Sequence, residues 1–314
     1  MAHEIETIAY ANEVPWHGLG ARVDTNVSVD EMLVAAGLDW NVDLLPLKVS
    51  IDDQIVPVPG KYALVRNTDN RIMTITGKSW RPMQNRDTLG FMRNYVEAGG
   101  ATLETAGSLR GGQIVWGLAK LKHSFSVGHH DKVNGYLLIT VPHVVGCAIT
   151  IRTTTVRVVC ANTMAMAERN GGINYSQDHR RVFDIDAAKT AVGNAHEDLA
   201  MAERRANTLA NLKLSLEDAV KLVLAPSLDF EISGLETAQI MDSGNQPKKL
   251  QQIINSINNA PGAIQDSGWG ILNGVTHWAD HVAGREAASR MFRSWNGDTC
   301  ELKLDIERRL LELA

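Results

Sequence analysis

A cysteine beside an arginine at the end of a β-branched run is a pairing that can make a nucleophile. In "ITIRTTTVRVVCANTMAMAERN" (Ile149–Asn170), Cys160 follows Arg157 and precedes Asn162 and Thr163, either of which can cap a helix. A thiolate near a helix N-terminus and beside a guanidinium is acidified and reactive. Cysteine catalysis also needs a base, and no Gly-x-Cys-x-Gly frame surrounds Cys160. A small residue at a buried strand end is the simpler reading. Arg152 and Arg157 are five apart, so a regular strand sends them to opposite faces, and only a bulge would aim both at one ligand.

Histidines supply the second candidate. "HWADH" sets His277 and His281 four apart on one face of a helix, a spacing that can hold a metal. Trp278 stands where the metalloprotease signature has Glu, and no third ligand is evident. His129 and His130 in "GHHDKVNG" read as a turn. No Walker loop and no Gly-x-Gly-x-x-Gly between strand and helix occurs, so ATP-driven and dinucleotide chemistry have no support.

Basic residues supply the third. Arg81 follows Trp80; Arg110, Lys120, Lys122, Lys132, Arg152 and Arg157 fall on or beside hairpins, and Arg169 lies in the helix that follows. Trp116, Phe125 and Tyr136 are interleaved with them. Cations along a groove with occasional aromatics suit single-stranded nucleic acid, which offers phosphates to neutralise and bases to stack. Trp116 also alternates with apolar neighbours as a core residue does.

Elements that would position these residues follow from patterning. Ser28 caps a short helix in "VSVDEMLVAAGLDW", closed near Gly37. "WNVDLLPLKVSI" alternates as a strand, with Pro46 favouring an edge. "KYALVRNTDNRIMTITG" is a hairpin, "NRDTLGFMRNYVEAGG" a helix stopping at Gly99, and "ATLETAGSLRGGQIVWGLAKLK" a second hairpin. The uncharged run Val133–Ile151 approaches a membrane span in length, but Pro142 and Gly146 make it two strands around a turn. From residue 182 on, helical periodicity takes over, first in one long stretch ending at Pro226. "NGGINYSQDHRR" and "LAPSLDFEISG" are the nearest to linkers. Strands first and helices after predict an α+β class: an antiparallel, hairpin-rich sheet flanked by helices over residues 1–181, and a helical region over 182–314.

The net charge of −5 hides a segregation. Residues 60–181 hold 16 basic against 7 acidic residues, whereas residues 1–59 hold 2 against 10 and residues 182–314 hold 13 against 19. A basic middle between acidic ends either marks a polyanion site or pairs with those ends. The three cysteines (Cys147, Cys160, Cys300) are far apart without a Cys-x-x-Cys pair, which predicts a reducing cytoplasm. "MAHEIETIAY" has neither the basic nor the apolar part of a signal peptide.

"VPWHGLG" (Val14–Gly20), "TTTVRVVCANT" (Thr153–Thr163) and "GWGILNGVTHWADHVAGR" (Gly268–Arg285) resemble the signature segments of a phage- and plasmid-related family of unknown function. The resemblance spans nearly the whole chain and implies no assigned catalytic residues. His277 departs from the tyrosine expected there. More remotely, the order helix, antiparallel strands, helix resembles phage single-strand annealing proteins of the RecT, Redβ and Erf types, and the eukaryotic annealing mediator. That resemblance implies ATP-independent annealing of single-stranded DNA during recombination by a ring or filament of identical chains. It implies no cofactor, no metal and no membrane, with a single-strand-binding protein or exonuclease as a further partner. The expected contacts are Arg81, Arg110, Lys120, Lys122, Lys132, Arg152, Arg157 and Arg169. The competing expectations are a cysteine- or metal-dependent hydrolase or nuclease, and a structural or host-interaction protein.

Overall fold

Alternating apolar residues between Gly, Asn and Asp turns make the first half of the chain β-structure. The computed structural model describes residues 4–15, 18–127, 131–155, 173–193, 195–230, 248–259, 264–284 and 298–314. The strands are β1 (Ile5–Tyr10), β2 (Ala21–Arg22), β3 (Val42–Ile51), β4 (Gln54–Arg66), β5 (Ile72–Gly77), β6 (Ala101–Leu109), β7 (Ile114–Val127), β8 (Asp131–Pro142), β9 (Ile149–Thr154) and β10 (Ile173–Gln177). Helices α1 (Val29–Ala35) and α2 (Asn85–Glu97) interrupt them, and α3 (Ile185–Val192) and α4 (Ala195–Asn211) follow. Next come α5 (Leu216–Ala219), a π-helical turn (Val220–Leu224) and α6 (Ala225–Ser227). The last helices are α7 (Lys248–Asn259), α8 (Gly268–His277) with a π-helical turn over Trp278–Val282, and α9 (Asp298–Leu313).

The α+β class is as the pattern predicts. A large sheet runs in the order β10-β9-β8-β7-β6-β1-β2, and a separate antiparallel sheet in the order β3-β4-β5. β2 pairs parallel to β1. Ser28 caps α1 through a capping box with Glu31, and the Val133–Ile151 run is β8, a turn and β9. Two elements lie in segments without a strong pattern. β1 is the first, and β10 is the second, inside the linker-like "NGGINYSQDHRR". The long helical pattern after residue 182 breaks twice. Gly193 follows α3, and Lys213 bridges to Ser267 before Ser215 caps α5.

The chain forms two compact units, one of residues 3–124 with 134–199 and one of residues 125–133 with 200–314. In the first, Val115, Ala119, Leu137, Ile139, Ile149 and Ile151 share a core with Met32 and Leu33 of α1 and Leu89, Phe91 and Met92 of α2. Gly117 permits the close approach of α2: a Cβ there would meet Leu89 Cδ2 at 2.5 Å. Ala188 and Val192 of α3 join the same core, so α3 stays with the sheet. The alternate positions Trp116, Leu118, Tyr136, Leu138 and Arg152 are buried as well. The central strands are therefore covered on both faces, as their near-continuous apolar runs require. In the second unit, Val220, Val223, Ile253, Ile271, Val275, Trp278, Ile306 and Leu310 form one core, and Phe125 and Val127 pack against Ala206.

One buried cation joins the two sheets of the first unit. Arg66, at the end of β4, donates from Nη1 to Glu6 of β1 at 2.8 Å, and from Nε and Nη2 to Asp69 at 2.9 and 2.6 Å. Its guanidinium lies 5.2 Å from the Trp40 ring centroid, and Ser108 donates to the other Glu6 oxygen. Gly112 leaves room for it, since a Cβ there would sit 2.9 Å from Nη1. The Arg66 hydrogen bonds hold the Asp69 carboxyl down at about 2. Behind this cluster, His143 is fully buried and packs edge-on to Trp40. Asn85 donates to the Leu38 and Trp40 carbonyls, so its Oδ1 accepts from His143 Nε2 at 3.1 Å. Burial, and secondly the neighbouring His179, lowers the imidazole pKa to about 3.

Arg66→Met strands Glu6 with half its partners gone. It should cost about 3 kcal/mol, read as a lower urea midpoint at unchanged slope. His143 contributes a pH dependence with a definite sign. Its folded pKa lies below the free value of 6.5, so the unfolded chain takes up a proton first as pH falls. Stability should drop from pH 6.5 downward toward pH 3, by up to about 1.4 kcal/mol per pH unit for this one group. His143→Gln keeps a donor for Asn85 and should flatten that limb of a midpoint-against-pH plot.

Candidate functional site

The residues before α2 and those after β10 face each other across a cleft of about 610 Å3. Its cationic members are Arg81, Arg86, Arg93 and Arg181, against the single carboxylate of Asp87. Its floor is apolar: Met83, Phe91 and Ile149 are buried there, and Phe183 stands edge-on to Phe91. Val182 and Ile185, 80% and 40% exposed, extend the apolar surface to the rim.

Amide side chains hold the two walls. On the α2 side, Gln84 accepts from Val42 N–H and donates to Val42 O, both at 3.0 Å, copying a strand pairing against β3. Opposite it, the buried Gln177 amide is satisfied within its own loop. Its Oε1 accepts from Tyr175 Oη at 2.6 Å and from Asp184 N–H at 3.0 Å, and its Nε2 donates to the Arg181 and Val182 carbonyls. That loop therefore presents Arg180, Arg181 and Val182 outward, all three exposed.

The walls meet at Arg81 and His179. Arg81 N–H donates to His179 O at 2.6 Å, and His179 Nδ1 donates to Arg81 O at 3.2 Å. A carbonyl only accepts, so this bond fixes the tautomer with the proton on Nδ1. The imidazole stacks on Trp80 with centroids 4.2 Å apart, and burial lowers its pKa. Beyond this pair a second cleft, of about 490 Å3, is lined by Ser79, Trp80, Cys147, Asp178, His179 and Arg180 among others.

Arginines of the first cleft differ in their freedom. Arg93 reaches both oxygens of Asp30 at 3.1 Å, and Arg86 reaches the same carboxylate at 3.4 Å. Arg81 and Arg181 have no ion-pair partner among the described residues. Two cations are thus committed in part to a surface carboxylate, and two are available to a ligand.

Of the residues expected to grip an anion, Arg81 is on this cleft. Arg110 sits at the β6–β7 turn and pairs with Glu4 at 2.6 Å. Lys122 is exposed and Lys120 half-buried on β7. Arg152 is 4% exposed within the sheet, which corrects its expected place at the mouth of a groove: its alternate face of β9 is covered. Trp116, Tyr136 and Phe125 are buried too, so none offers a ring to a base. Lys132 is the second residue of β8, and its side chain lies outside the described residues, as do Arg157, Cys160, Asn162, Thr163, Arg169, Trp16, His17, His129 and His130. His277 and His281 lie with ring centroids 5.0 Å apart, and Asp280 between them in sequence binds Lys303 at 3.1 Å. Among the described residues, no group of three or more His, Cys, Asp or Glu is placed to hold a metal. No helix among them is long and apolar enough to cross a membrane.

Sequence reasoning missed Arg181, Arg86 and Arg93. Arg86 and Arg93 stand seven apart, two helical turns, on one side of α2. That spacing was a signal; the loop after β10 gave none.

Comparison with curated proteins and with solved structures finds no match. Residues 73–300 match the model of a family described as a domain of unknown function (DUF932). The matched span takes in all of the first cleft and two of the three signature segments, Thr153–Thr163 and Gly268–Arg285, and leaves Val14–Gly20 outside. Covering well over half of the chain, the match shows that this protein belongs to the DUF932 family.

Proposed function

We propose that the protein binds single-stranded DNA at the arginine cleft and, without nucleotide hydrolysis, brings complementary strands together during phage or plasmid recombination. The observation that carries this reading is the pairing of Arg81 and Arg181, neither of which meets a carboxylate among the described residues, with an apolar floor and rim. Phosphates neutralise guanidinium groups, and bases need an apolar surface to leave water; a single strand presents both together. Arg86 and Arg93 add charge and remain tuned by Asp30. A duplex keeps its bases stacked inside and gains only the cations, so single strands should bind more tightly.

Fluorescence anisotropy of labelled oligonucleotides across a salt series tests this. With four arginines engaged, log affinity should fall against log salt with a slope of about −3. Arg81→Ala with Arg181→Ala should weaken binding at least tenfold, roughly, and reduce the slope by about 1.4. Absence of single-strand binding at low salt overturns the reading. Annealing of complementary oligonucleotides, followed by quenching without ATP, tests the further step. Gln177→Ala frees the loop that carries Arg181. It should weaken oligonucleotide binding roughly fivefold through the cost of ordering that loop again, with the salt slope unchanged.

A further inference from the structure

The β3–β4 hairpin extends past its own sheet. β5 pairs with β4 only up to Lys61, and between the pairs Pro46–Tyr62 and Lys48–Pro57 the residues Val58 to Lys61 bulge against Leu47 alone. Beyond that bulge lies a short two-stranded arm, Lys48–Ile51 against Gln54–Pro57, closed by Asp52 and Asp53. Such a ribbon is marginal in water by itself. This one exposes Val49, Ile51, Ile55 and Val56 at 41, 55, 73 and 39%. Both turn residues have positive φ, 46° and 62°, a turn that favours Asn-Gly. Asp suits the first of these positions, but Asp53 stands where Gly is preferred, and the two adjacent carboxylates repel each other at the tip.

The arm is the chemical complement of the arginine cleft. Its tip offers two carboxylates above apolar side chains; the cleft offers Arg81 and Arg181 above Phe183, Val182 and Ile185. Carboxylate and guanidinium make paired, charge-assisted hydrogen bonds, and the apolar parts of each surface are otherwise left to water. The arm stands exposed here, so it does not fill the cleft of its own chain. We propose that the arm of one copy seats its acidic tip in the arginine cleft of a second copy, so that the free protein associates head to tail. Tip and cleft are different surfaces, so the contact is heterologous and each copy keeps one of each to offer: it closes as a ring or continues as a filament. The inference uses the cleft assigned above and needs no nucleic acid. Phosphates and the tip are alternative occupants of the same arginines.

Sedimentation velocity over a concentration series, at low and high salt, tests it. The natural chain should form species larger than one copy, which dissociate as salt rises. Asp52→Asn with Asp53→Gly installs the preferred turn and removes the charge. It should raise the melting temperature while weakening association at least tenfold, roughly. A merely structural tip would move both in one direction. Asp52→Lys/Asp53→Lys and Arg81→Asp/Arg181→Asp should each remain single copies, and an equimolar mixture should associate again, since each then meets its opposite. A natural chain that stays a single copy at low salt overturns the inference, as does tip-variant association equal to the natural chain's. The two readings fail separately. Loss of oligonucleotide binding with restored association in the mixture removes only the nucleic-acid function, and unchanged association of a tip variant that still binds oligonucleotides removes only the head-to-tail contact.

Discussion

The guanidinium of Arg66 is held from three sides: by Glu6 of the large sheet, by Asp69 of its own hairpin, and by the face of Trp40. A charge 7% exposed would be costly if any of these were missing, so the cluster requires β1, the β4–β5 turn and the segment after α1 to arrive together. The same segment after α1 carries the carbonyls of Leu38 and Trp40 that accept from Asn85, which in turn accepts a hydrogen bond from His143. The start of α2, and with it one wall of the cleft, is thereby fixed to the junction of the two sheets.

The charge segregation along the chain resolves into two populations. Acidic residues from the N-terminal part meet arginines from the middle: Glu6 with Arg66, Glu4 with Arg110, and Asp30 with Arg86 and Arg93. These are the pairings by which a segregated chain neutralises itself on folding. Arg81, Arg180 and Arg181 are left outside them, on the two loops that meet at His179. The self-neutralising reading of the basic middle is realised in these ion pairs, and the polyanion reading rests on the arginines outside them.

Much of the fold was legible because it rests on local rules. The Ser28 cap, the Gly99 stop, the hairpin at "SLRGG" and the edge position of Pro46 each follow from one or two residues and need no tertiary knowledge. The candidate site was legible only at Arg81. Arg152 looked available because it stands in a β-branched run, and such a run does not by itself show whether the second face of its sheet is covered. Arg181 was hidden for another reason. Its position depends on the four hydrogen bonds of Gln177, and a glutamine inside a polar stretch gives no sign that its amide is buried.

Pro46 on the edge strand β3, and Pro57 and Pro59 on the part of β4 that β5 does not reach, also govern how the protein can go wrong. An exposed ribbon bearing valines and isoleucines is the usual template for backbone recruitment, in which one chain's edge adds to the next without limit. Proline has no N–H to give: Pro46 and Pro57 withhold one from the paired edges of the arm and its base, and Pro59 withholds one from the bulge between them. The arm can be adhesive through its side chains while its backbone refuses extension. Its apolar surface can therefore be carried in the open without inviting strand-by-strand backbone pairing.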